Sequence, residues 1–92
     1  MQFLASISLD LTLRSEVELA LPAETARVRE LMQSGQIHAL YIPDGTGAPE
    51  SLWAVFDRDS RESVERLLAS LPLYPYMRVE LTQLRSLEPA RL

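Results

Sequence analysis

Cysteine is absent from this 92-residue chain, and so is lysine. The first absence excludes disulfide staples, thiolate nucleophiles and cysteine metal sites together. The second excludes Schiff-base catalysis, since all nine basic residues are arginine. His38 is the single histidine, too little for a metal cluster held by protein ligands alone, so no metal is expected. No stretch approaches the roughly 18 unbroken apolar residues of a membrane span, and Met1-Gln2-Phe3-Leu4-Ala5 lacks the basic start of a secretory signal. A cytoplasmic protein without a membrane partner is the expectation. A net charge of −4 with no basic run also argues against nucleic-acid binding, which needs cations to displace phosphate counterions. Chemistry is left to carboxylates, hydroxyls, arginine and His38.

What is present reads as one small domain with a thin core, which burial against another subunit would help to stabilise. Phe3, Ile7, Leu9 and Leu11 alternate with polar residues and predict a first strand over residues 2 to 11. Ser15 and Glu18 have the spacing of a capping box, and a helical pattern then runs toward Gly35, a suitable terminator. Pro22 interrupts this pattern and predicts either a kink or a fresh helix start. Ile37 to Ile42 and Leu52 to Phe56 read as two further strands, joined by the turn-forming stretch from Pro43 to Glu50. A second helix, capped by Asp59 or Ser60, carries Val64, Leu67, Leu68 and Leu71 at helical spacing and must end by Pro72. Arg78 to Leu84 alternates as a fourth strand, and residues 88–92 read as a short tail after a domain spanning 1–87.

The order β-α-β-β-α-β is the ferredoxin-like arrangement of the α+β class: an antiparallel sheet with two helices on one face. Its bare face is most simply buried by a second copy, giving a homodimeric α+β barrel. On the first helix Val17, Leu21, Val28, Leu31 and Met32 form an apolar stripe, and Glu24 falls near its middle. A carboxylate so placed faces the core, where burial raises its pKa toward neutrality and suits it to moving protons. The same position also fits a structural glutamate whose head reaches water or an arginine.

The run Leu71-Pro72-Leu73-Tyr74-Pro75-Tyr76-Met77 is the most specific feature of the chain. With the helix before it and the strand after it, this run resembles the C-terminal half of the muconolactone delta-isomerase family, whose members carry a similar Leu-Pro-Leu-Phe-Pro-Tyr-Met. The likeness is greatest from about Trp53 to Leu84, includes Val55-Phe56-Asp57, and extends more loosely back to Phe3. It implies the ferredoxin-like fold, a ring such as a decamer beyond the dimer, and a place in aromatic hydrocarbon catabolism. Counted back from Gly35, Glu24 falls where the family carries its proposed catalytic glutamate.

The family reaction moves a double bond in an unsaturated lactone. A carboxylate removes a proton, a dienolate-like state forms, and the acid returns the proton at another carbon, with no metal or organic cofactor. Donors to the developing oxyanion and contacts to the small-molecule substrate would come from His38, Tyr41, Trp53 and Tyr76. His38 reads equally as an edge or interface histidine, Tyr41 and Trp53 as core or interface aromatics, and Tyr76 as packing in the connection. Where the family has a tryptophan- and arginine-bearing second strand, this chain has Gln36-Ile37-His38-Ala39-Leu40-Tyr41-Ile42, which implies a less anionic or larger substrate. The expected function is a cofactor-independent isomerase of this type. The alternatives are an isomerase or cyclase of another enolisable ring compound, or a non-catalytic oligomeric binding or accessory domain.

Overall fold

The computed structural model of the chain describes residues 1–45 and 50–87. Its elements are β1 (Gln2–Leu9), α1 (Arg14–Gln33), β2 (Ile37–Tyr41), β3 (Ser51–Asp57), α2 (Arg61–Ala69) and β4 (Met77–Leu84). Short 3₁₀ turns precede α1 (Leu11–Leu13) and β4 (Tyr74–Tyr76). The strands form one antiparallel sheet in the order β2-β3-β1-β4, the ferredoxin-like topology. None of the described helices is long and apolar enough to cross a membrane.

Strand alternation sets the two faces of the sheet. Phe3, Ala5 and Ile7 of β1 and Ala54 and Phe56 of β3 are buried, packing with Leu31 of α1 and Val64 and Leu68 of α2 in the core. Pairing of Leu4 with Val55, and of Ser6 with Trp53 and Glu80, puts the intervening residues on the opposite, outer face.

Several boundaries depart from the sequence reading for identifiable reasons. β1 stops at Leu9, because the Asp10 carboxylate accepts the Thr12 amide at 3.0 Å and turns the chain. The Ser15 capping box does not form: the N-cap falls two residues earlier, at Leu13, with no side-chain cap, so Ser15 lies inside the first turn. α1 runs through Pro22 without a fresh start. At its end Gly35 adopts φ 80°, a left-handed conformation that glycine tolerates without strain, and donates its amide to the Met32 carbonyl at 3.1 Å. In α2 it is Ser60 that caps, its Oγ accepting the Ser63 amide at 3.1 Å. That helix closes at Ala69, ahead of Pro72. Part of the expected β2–β3 turn, residues 46–49, and the expected tail, residues 88–92, lie outside the described residues.

Candidate active site

Two polar residues are buried among the described ones, Ser63 and Glu24. Ser63 is accounted for structurally, because its Oγ accepts Arg58 Nε at 2.6 Å, and Arg58 Nη1 in turn reaches Gln36 Oε1 at 2.6 Å. This chain of bonds ties the end of β3 to the start of α2 and the entry to β2. Glu24, only 8% exposed, forms no ion pair among the described residues. Its Oε1 accepts the backbone amide of Leu73 at 2.9 Å.

That amide explains what the proline-rich connection contributes. The Leu71 carbonyl accepts from Tyr74 N and the Leu73 carbonyl from Tyr76 N, at 3.0 and 2.9 Å, so the chain curls tightly between α2 and β4. The Leu73 amide is thereby left outside any helix or strand ladder and points back at α1. The two influences on Glu24 oppose each other. Burial, the larger, raises its carboxyl above the ordinary value of 4.5, and the Leu73 hydrogen bond lowers it, leaving a net rise. No buried side-chain oxygen among the described residues lacks a hydrogen-bond partner. Oε2, which has none, therefore meets open space rather than packed protein.

That space is a cavity of about 410 Å³ between α1 and the sheet. Ile7, Leu52, Ala54 and Phe56 form its floor, Leu71, Leu73 and Met77 close one side, and α1 forms the roof. Among the described residues the polar lining comes from α1: Arg14, Glu18, Glu24 and Thr25. Of these, sequence pattern singled out Glu24 alone. Arg14 and Glu18 could have been found by extending the Glu24 stripe backwards, since positions 14, 17, 18, 21 and 24 recur at helical spacing once the helix is known to pass through Pro22.

The other four candidate residues do not line this cavity within one chain. Trp53 (36% exposed) and Tyr41 (59% exposed) pair across β3 and β2 on the outer face of the sheet. His38 is exposed at an irregularity between Ile37 and Ala39 on edge strand β2. Tyr76 borders a separate shallow cleft with Asp10 and Arg78, and its carbonyl accepts the Asp10 amide at 2.9 Å. Alternation explains the first two: β3 sends Leu52, Ala54 and Phe56 to the cavity and therefore Trp53 away from it.

A half-covered antiparallel sheet, with the buried Glu24 carboxylate lining an apolar cavity between α1 and the strands, defines a ferredoxin-like α+β protein. The match to muconolactone delta-isomerase covers residues 1–88, and the chain belongs to that family. A curated relative, the muconolactone delta-isomerase of Cupriavidus pinatubonensis (strain JMP 134 / LMG 1197), is 34% identical over 61 residues. That match takes in 66% of this chain and 63% of the relative, so the chain spans somewhat less than two thirds of the relative's length. Among solved structures, a muconolactone isomerase superposes with a TM-score of 0.76 at 24% identity, covering 98% of this chain and 93% of the other. The 5-chloro-2-hydroxyhydroquinone dehydrochlorinase of Burkholderia phenoliruptrix AC1100, solved with 2,5-dihydroxybenzoquinone, gives 0.72 at 15% identity, with 92% and 94% covered. These two likenesses establish the fold.

Proposed function

We propose that this chain is a cofactor-independent isomerase of the muconolactone delta-isomerase type, shifting a double bond in an unsaturated lactone by proton transfer through Glu24. The observation that carries this reading is a buried carboxylate with one oxygen held by the Leu73 amide and the other facing an apolar cavity. Ionised Oε2 takes a ring proton from a carbon conjugated to the lactone carbonyl. The C–H electron pair moves into the ring and the carbonyl oxygen, forming a dienolate. The carboxylic acid then returns the proton to a different carbon, which restores Glu24 and leaves the substrate's composition unchanged. Burial suits the first half of this cycle, because a carboxyl with a raised pKa is a stronger base, and the second half is driven by the greater basicity of the dienolate carbon that takes the proton back. The Leu73 amide fixes the side chain while Oε2 works. Thr25, next to Glu24 on α1, is the side-chain donor that this wall offers a developing oxyanion.

Active assembly is proposed to be a homodimer or larger ring closed over the outer face of the sheet. There Tyr41, Trp53, His38 and Tyr76 would meet a second subunit or a neighbouring site. The proposed setting is the cytoplasm, in the breakdown of aromatic compounds, which the family membership supports. A second reading, the isomerisation or cyclisation of another enolisable ring, is favoured by the absence of a cation close to Glu24 among the described residues. The test is an ultraviolet assay with muconolactone on the wild type and on Glu24→Gln. Turnover falling about 10²- to 10⁴-fold in a folded variant is expected, whereas equal turnover would remove Glu24 from the chemistry.

A further inference from the structure

The backbone bonds around Pro72 and Pro75 give the prolines of the connection a task. At the close of α2 the Ser70 amide donates to the Arg66 and Leu67 carbonyls and the Leu71 amide to the Leu68 carbonyl, still in helical register. Were α2 to continue, the Leu73 amide would fall to the carbonyl of Ala69, four residues back. Pro72 prevents this, because it has no amide, crowds the preceding turn and disfavours helical geometry at Leu71. Beyond it tight turns follow, Tyr74 donating to Leu71 and Tyr76 to Leu73, while Pro75 again brings no donor. From Ser70 to Tyr76 each amide closes a turn except that of Leu73, which crosses to Glu24 at 2.9 Å. α1 meets this stretch at matching spacing: Arg27, one turn along from Glu24, donates Nη2 to Ser70 Oγ at 3.3 Å.

Building on the Glu24 reading, we infer that Pro72 is a positioning residue for Glu24: by stopping α2 it releases the Leu73 amide, which holds Oε1 and leaves Oε2 for the ligand. The connection is then part of the chemistry as well as a wall of the cavity. An amide donating to a carboxylate favours the ionised form, so it counters burial and keeps a carboxyl in apolar surroundings usable as a base. The other charged groups nearby are on α1. Arg14 and Glu18 line the cavity, and Arg27 is engaged by Glu30 and Ser70. Among the described residues the strands and the connection bring no charge to its lining.

Carbon-13 NMR titration of the Glu24 carboxyl, with kcat/KM for muconolactone followed against pH, tests this. Replacing Leu73 by its α-hydroxy acid exchanges the amide for an ester and removes that single donor. The Glu24 titration should move to higher pH than in the wild type, and the acid limb of kcat/KM with it. Pro72→Ala should move both the same way, as α2 extends and recaptures the Leu73 amide. Pro72→Gly restores the same amide in a residue that resists helix, and should move them less. Ser60→Ala, which loosens α2 at its opposite end, should leave both in place, separating positioning from general destabilisation. An unmoved titration in the ester protein, or in whichever proline variant folds, would overturn the inference, as would an equal movement in Ser60→Ala. The titration needs no turnover, so it is decided separately from the isomerase reading, which Glu24→Gln tests.

Discussion

Glu24 stores a conflict between solvation and fold. In the unfolded chain its carboxyl titrates near 4.5, and in the folded chain it titrates higher because burial outweighs the Leu73 hydrogen bond. The folded state therefore binds the proton more tightly. The resulting stabilisation is complete below 4.5 and is lost as pH rises through the raised folded value. Denaturant titrations across that interval should show wild-type stability falling with pH relative to Glu24→Gln, which has no such proton. Activity should move the opposite way. If Glu24 is the proton acceptor proposed above, the kcat/KM profile should show an acid limb above 4.5, since Oε2 would have to be ionised in the free protein. A limb at or below the ordinary value would mean that the carboxylate is solvated in the working protein.

Among the elements, α1 and α2 achieve their boundaries differently. α2 has a side-chain cap, so Ser60→Ala should cost about 0.5–2 kcal/mol by leaving the Ser63 amide unpaired, measurable by urea denaturation. α1 has none, and carries Pro22 in its interior. Proline there deletes the amide that would pair with the Glu18 carbonyl, at a cost of about 3 kcal/mol, offset by about 0.4–1 kcal/mol from a stiffer unfolded chain. Because Pro22 is exposed, Pro22→Ala should raise the Tm, a gain read by calorimetry. These helices also show what was legible in the sequence. Apolar periodicity gave the six elements and their order, and placed Glu24 on the inward stripe, because burial by one face is a local, repeating demand. The capping box failed because Asp10 turned the chain first, an event that the Ser15 to Glu18 spacing does not encode. Leu73 as the partner of Glu24 was also hidden, since a main-chain amide leaves no mark in residue type. The chemistry of a side chain does not fix where it points, and strand alternation alone assigns Trp53 to the outer face.

At the scale of the whole molecule, the sheet has a face that the helices do not cover. Leu4, Val55, Trp53 and Tyr41 lie there beside polar Ser6, Glu80 and Arg78, a mixed surface of the kind that subunit interfaces use. Light scattering at low micromolar concentration should give at least a dimer. Trp53→Glu should shift the population toward monomer, through an uncompensated charge at the joint. Trp53 is the single tryptophan, so its emission should move to shorter wavelength as the wild type assembles. A wild-type monomer with unchanged emission on dilution would leave this face to solvent. The cavity on the other side of the sheet divides its labour sharply: among the described residues the strands contribute hydrocarbon, and every ionisable lining group comes from the 20 residues of α1. On the proposed role of Glu24, the reactive groups of this protein would come from one contiguous stretch of sequence. Exchange of that stretch between relatives, with strand register untouched, is a short route by which one scaffold acquires different reactions.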